Sequence, residues 1–283
     1  MLRYLCPMPL DQPEEELKSA EMSFLEHLEA LRWHLIRSFA SVVLFGALAF
    51  IFSDIVFDGI LLAPKNATFP TYRFFCWLSQ KLFSNDSICL SSLNFELIST
   101  QMSGQFTTHL MVAFATGLIL AFPYLLWEIW RFVKPALYPG ERKYANGMVF
   151  WGSFLFALGI AFGYFVITPL SVYFFGNYQI SGLVANQIAV SSFISTVVTT
   201  TFGTGIVFEL PIFIYFLAKI GLVTPAFLKN ARKISYIIIL IVAAIITPPD
   251  VTSQIIVSIP LFLLYEVGIW IAARVERKKA QSN

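Results

Sequence analysis

The chain has 283 residues, 57% apolar and only 13% charged, with a mean hydropathy of +0.73 and a formal net charge of +2. Soluble domains carry about a quarter charged residues, so a soluble enzyme, a disordered chain and a small disulfide-dense domain are excluded. The charge is too small for a nucleic-acid binder, and the three cysteines lack histidines at zinc-ligand spacing.

What remains is an all-α polytopic membrane protein. A spanning helix needs about 20 mainly apolar residues. Residues 1–37 read as a polar N-terminal segment with seven acids. It is too long and acidic for a signal peptide, and no small-residue cleavage site follows the first apolar run. Apolar runs then cover 38–56, 109–130, 148–173, 193–218, 234–246 and 251–273, and a tail covers 274–283. The last two runs are split by Thr247-Pro248-Pro249-Asp250, where two missing amide donors stop a helix. The fifth run has 13 residues, a helix of about 20 Å, and reads as half of a short hairpin that thins the bilayer or sits inside an assembly. A re-entrant fifth segment would put the two termini on opposite sides. No pair of halves matches as the inverted repeat of a secondary transporter.

Sixteen of the 19 Lys and Arg fall in the N-terminal segment, the second-to-third and fourth-to-fifth connections, and the tail. Lys65, Arg73 and Lys81 fall in the long loop 57–108 on the other side. Basic residues mark the cytoplasmic side, so six spans with both termini inside satisfy the count. Cys76 and Cys89 share the outer loop, where an oxidising compartment favours a disulfide over two free thiols. Cys6 lies on the cytoplasmic side and reads as a free thiol.

Ionisable residues in a span are costly and face protein or water. Glu209 lies within the fourth run, after Gly203 and Gly205 and two residues before Pro211, which cannot donate to the Val207 carbonyl. It reads either as a functional group or as an interhelical hydrogen-bonding one. Glu128 and Glu266 lie nearer an interface, Asp250 suits a helix cap, and Trp127, Trp130 and Trp151 suit interfacial anchors. The segment after Trp130 combines Phe132, Pro135, Leu137, Tyr138 and Glu141, a carboxylate beside apolar side chains. That mixture suits a short peptide bearing arginines and a hydrophobic run. The three histidines are scattered and no nucleophile motif is present, which argues against an intramembrane enzyme. On physical grounds alone a proton-coupled small-solute transporter, with Glu209 as carrier, ranks first.

Five segments in series resemble the TatC family, the multispanning receptor of the twin-arginine protein translocase. They are Phe24-Leu-Glu-His-Leu-Glu-Ala-Leu-Arg, Pro135-Ala-Leu-Tyr-Pro-Gly-Glu-Arg, Gly163-Tyr-Phe-Val-Ile-Thr-Pro-Leu, Phe208-Glu-Leu-Pro and Thr247-Pro-Pro-Asp-Val-Thr-Ser-Gln. The resemblance covers residues 23 to 276 and implies a cupped six-helix bundle with short fifth and sixth helices and both termini cytoplasmic. It implies a non-enzymatic role without cofactors in the bacterial cytoplasmic membrane. That role is to bind Arg-Arg signal peptides of folded proteins and to assemble TatA- and TatB-type single-span subunits for export driven by the proton-motive force. By motif, Arg32, Phe132, Leu137 and Glu141 match the signal-recognition surface, and Glu209 the intramembrane glutamate. Pro64, Asp250 and Gln254 match the outer rim. One departure stands out: the family's glutamate two residues before Arg32 is Ala30 here. Glu29 points about 100° away on a helix, whereas Glu26, four residues earlier, shares nearly the same face.

Overall fold

The structure, a computed structural model, describes residues 24–83, 89, 95–134, 145–181, 186–247 and 250–282. It is almost entirely helical. Helix α1 (Phe24–Ile51) leads through a π-helical turn (Ile55–Leu61) and a 3-10 turn (Ala63–Lys65) to α2 (Pro70–Phe83). Strand β1 (Glu96–Ile98) precedes α3 (Gly104–Val133). Helix α4 (Ala145–Phe162) continues through a π-helical turn (Gly163–Ile167) into α5 (Thr168–Asn177). After β2 (Gln187–Ala189) come α6 (Val190–Phe208), α7 (Leu210–Ile220), α8 (Pro225–Asn230), α9 (Arg232–Ile246) and α10 (Val251–Ser282). By length and composition five stretches can cross a membrane: Leu28–Ile51, Gly104–Val133, Gly147–Asn177, Val190–Ile220 and Ser253–Lys278.

Several boundaries differ from the sequence expectation. The first helix begins at Phe24, well before the apolar run at 38–56, because Glu29, Arg32 and Arg37 fall on an exposed side that a helix tolerates outside hydrocarbon. The loop 57–108 is not plain loop but carries α2 and β1. The fifth helix is short, at 15 residues, but the sixth is not: α10 has 32 residues and absorbs the tail to Ser282. Charged residues end an apolar run without ending a helix, since Glu, Lys and Arg are good helix formers. The fold is also not purely α, because β1 and β2 pair in parallel with Leu97 opposite Ile188.

Between lipid-facing helices there is no hydrophobic drive to associate, so small residues that allow close contact carry the packing. Helix α1 packs mainly on α3. There a Cβ at Gly117 would lie 2.6 Å from the Gly46 amide nitrogen and 2.7 Å from the Val42 carbonyl. Between α4 and α6, a Cβ at Gly159 would lie 2.8 Å from the Gly205 Cα. Gly203 serves a different neighbour, the Ile246 side chain of α9. Among the described residues three apolar clusters result. One joins α7, α9 and α10 around Ala243, Leu261 and Ala272; a second joins α1, α3, α5 and α6 around Val112, Ile194 and Val197; a small third holds Trp130 of α3 and Met148 of α4.

The prolines of the spans leave carbonyls that hydrocarbon cannot hydrate. Pro169 has no amide hydrogen for the Phe165 carbonyl four residues back. The Thr71 hydroxyl of α2 donates to that carbonyl instead. Next to it the buried Tyr72 hydroxyl lies 2.9 Å from the Pro64 carbonyl and 3.1 Å from the Pro169 carbonyl. Burial pushes the Tyr72 phenol above its ordinary value, so it remains a donor at physiological pH. Helix α2 is thereby tied to the junction of the π-helical turn and α5.

Gly117→Ala should destabilise the protein by about 1–3 kcal/mol through overpacking. Gly147→Ala, where a Cβ meets nothing within 4 Å, should be neutral or slightly stabilising. Thermal unfolding of the two variants in detergent checks the contrast.

Candidate functional site

At one end of α1 and α3, side chains spaced by four residues share a face. Tyr124, Glu128 and Phe132 are so placed on α3, and His34 of α1 stands against them. Glu128 is only 1% exposed. Its Oε1 accepts a hydrogen bond from the Tyr124 hydroxyl at 2.8 Å, and its Oε2 pairs with His34 Nδ1. The His34 ring meets Phe132 edge-on, with centroids 5.9 Å apart. Arg131 stands over the Trp127 ring at 5.3 Å. Trp130, expected as an anchor, is instead buried against Phe216 of α7, because the close α3 packing turns it inward. Trp127 and Trp151 are exposed.

Glu209 is the junction of a broken span. Helix α6 ends at Phe208 and α7 begins at Leu210, with Pro211 in its first turn. The Glu209 carbonyl accepts from the amides of Ile212 and Phe213, at 2.9 and 3.1 Å. Its side chain is 3% exposed and directed at α4, where a Cβ on Gly152 would lie 3.2 Å from Oε2. Among the described residues Glu209 Oε1 has no hydrogen-bond partner, and neither has the buried hydroxyl of Ser153, which follows Gly152 on α4. Buried polar atoms are nearly always hydrogen-bonded, so Glu209 Oε1 is an exception to the rule.

The outer end is closed by hydrogen bonds. Asp250 Oδ2 accepts from the Ser253 amide at 2.7 Å, capping α10. The Gln254 side chain donates to the Leu240 carbonyl of α9 at 3.3 Å. Ser171 of α5 and Ser253 of α10 share a 2.9 Å hydrogen bond. Pro64 is buried beneath Tyr72. Cys76 of α2 is joined to Cys89, with their Cα atoms 4.2 Å apart.

Among the residues matched by motif, Arg32 and Glu29 are exposed on α1. The helix is regular from Phe24, so Glu29 keeps its roughly 100° offset from Ala30. Glu26 lies in the same helix one turn before Ala30. Phe132 closes the last turn of α3, and Leu137 and Glu141 lie outside the described residues. His34, Tyr124 and the burial of Glu128 were missed. The available signal was the four-residue spacing of three aromatic or ionisable side chains on an otherwise apolar helix.

Among the described residues, five long apolar stretches, an ionisable residue at the break of one and a hydrogen-bonded Glu128–His34 pair between two others define a multi-pass helical membrane protein. The family model described as Sec-independent protein translocase protein (TatC) matches residues 26–260. The Sec-independent protein translocase protein TatC of Blattabacterium sp. subsp. Periplaneta americana is 42% identical over 261 residues, covering 92% of this chain and 98% of its own. That of Desulforapulum autotrophicum is 37% identical over 95% of this chain and 89% of its own. Two crystal structures of a twin arginine translocase receptor, TatC, align with TM-scores of 0.66 and 0.69 at 30% and 33% identity. They cover 89% and 87% of this chain and 100% and 99% of theirs. The chain belongs to the TatC family and is a component of the Sec-independent protein translocase, a transport rather than catalytic family.

Asp250→Ala should lower stability by about 1 kcal/mol through loss of the cap, and Asp250→Asn by less. Unfolding midpoints in detergent, with the wild-type fold confirmed by circular dichroism, check the order.

Proposed function

We propose that this chain is the signal receptor of a twin-arginine translocase in a bacterial cytoplasmic membrane. It binds Arg-Arg signal peptides of folded proteins at the cytoplasmic face and assembles TatA- and TatB-type single-span subunits in an oligomeric complex. Transport draws on the proton-motive force. The observation that carries the reading is the end-to-end match to structures described as a twin arginine translocase receptor. The position of Phe132 supports it: the ring ends α3 against His34, where the segment containing Leu137 and Glu141 begins. Arg32 supplies exposed charge for the signal, Glu141 a carboxylate, and Glu26 or Glu29 a further one.

We further propose six spans with both termini inside. The positions of the basic residues support this orientation. The short α9 supports the count, since Ile234, Ile237, Ile238, Ile241 and Ile245 form an exposed apolar stripe at helical spacing that hydrocarbon would cover. In this arrangement the Cys76–Cys89 bridge lies in the oxidising compartment and clamps α2 to the outer loop. Glu209 receives the polar residue of a single-span partner helix from the bilayer plane, because its Oε1 lacks a donor within the chain's described residues.

Glu141→Ala should weaken binding of an Arg-Arg signal peptide about tenfold, the loss of one charge-assisted hydrogen bond, and leave folding unchanged. Binding measured on detergent-solubilised protein decides; wild-type affinity in the variant overturns the receptor surface. Glu209→Ala should keep the fold but reduce export, with Glu209→Gln milder if hydrogen bonding is the role. Interhelical hydrogen bonds in lipid average only about 0.6 kcal/mol, so the effect falls on assembly rather than on stability. Export rates in cells and crosslinks from position 209 to a single-span helix test it, and wild-type export by Glu209→Ala overturns it.

A further inference from the structure

One buried carboxylate has no part in the function described so far. Glu128 lies on α3 one turn before Phe132, and both of its oxygens are engaged, one by Tyr124 and one by His34. The His34 side chain is 17% exposed and the Glu128 side chain 1%, so the imidazole covers the carboxylate. Arg131 stands over Trp127 and Arg37 is exposed. The donor on the carboxylate is thus a histidine, although two permanent cations lie at the same end of these helices. Ala30 lies one turn before His34 on α1.

We propose that Glu128 is the specificity-determining carboxylate for an arginine of the signal pair, and that His34 holds its place until a guanidinium displaces it. The proposal rests on the receptor reading above. An imidazole offers Glu128 a single N–H donor. A guanidinium offers two parallel donors in a planar fork and forms the stronger, bidentate pair. A lysine ammonium is a compact, strongly hydrated point charge without that fork, so it gains less from the exchange. Until the signal arrives, His34 spares the interior an unpaired buried carboxylate, an arrangement strongly unfavourable to folding. When His34 swings out, its edge contact with Phe132 is released. The carboxylate missing at Ala30 is thereby replaced from the facing helix.

The test uses the full chain in detergent and two synthetic signal peptides, one with the Arg-Arg pair and one with Lys-Lys. Wild type should prefer Arg-Arg. Glu128→Gln should lower that preference about tenfold, through weaker Arg-Arg binding, with Lys-Lys binding little changed. His34→Ala should tighten Arg-Arg binding several-fold by removing the competing donor. His34→Arg should weaken it about tenfold, because a tethered guanidinium fills the site. His34→Arg keeps the carboxylate paired and so carries the test if Glu128→Gln fails to fold. Wild-type preference in both Glu128→Gln and His34→Arg overturns the proposal, as does equal loss of both peptides accompanied by a lower Tm, the signature of a structural pair. If wild type shows no Arg-Arg preference, the receptor reading itself falls. If wild type prefers Arg-Arg and Glu141→Ala weakens binding while the Glu128 and His34 variants match wild type, only this inference falls.

Discussion

Inside hydrocarbon a backbone carbonyl that loses its helical amide has no water to turn to. Much of this architecture answers that constraint. The third span carries Pro169, and the Phe165 carbonyl it leaves is satisfied by Thr71, from a helix outside the span. Tyr72 reaches two further carbonyls from the same helix. In this way a loop helix becomes part of the membrane domain, and Pro64 is buried as a consequence. The π-helical turn Gly163–Ile167 places the kink where these hydroxyls can reach it.

The fourth span meets the same constraint differently. Pro211 has no amide hydrogen for the Val207 carbonyl, and at the break the Glu209 amide turns to the Ile206 and Val207 carbonyls instead. The side chain is left directed at α4 with one oxygen unpaired. A glycine at position 152 makes room for the carboxylate, as glycines at 159 and 205 make room for the two backbones to approach. Close packing and room for the Glu209 side chain are therefore products of the same small-residue interface. In a membrane that interface is held by van der Waals contact and hydrogen bonds rather than by exclusion of water.

At the far end of α3 the polar groups are arranged in the opposite sense. Glu128 has both oxygens occupied, by Tyr124 and His34, and the Phe132 ring leans on the histidine. A satisfied carboxylate near a surface and an unsatisfied one in the bilayer plane suit different partners. The first suits a ligand that must outcompete an internal donor. The second suits a group that arrives with a donor of its own.

Apolar runs, basic loops and five motifs in series were legible in the chain by itself, because hydropathy and charge act locally and do not depend on which helix lies next to which. They were enough to determine a multi-pass helical protein of the TatC family, and they singled out Cys76, Cys89, Glu209 and Asp250 as candidates. Helix ends were less legible: α1 and α10 run on through charged residues that are good helix formers once outside hydrocarbon. Three things depended on the tertiary structure alone. Trp130 is core rather than anchor, Thr71 satisfies a carbonyl 94 residues away in sequence, and His34 finds Glu128 across the same separation. Each depends on which helices meet and at what depth. That is decided by glycine contacts such as Gly46 with Gly117, whose partners no local pattern names.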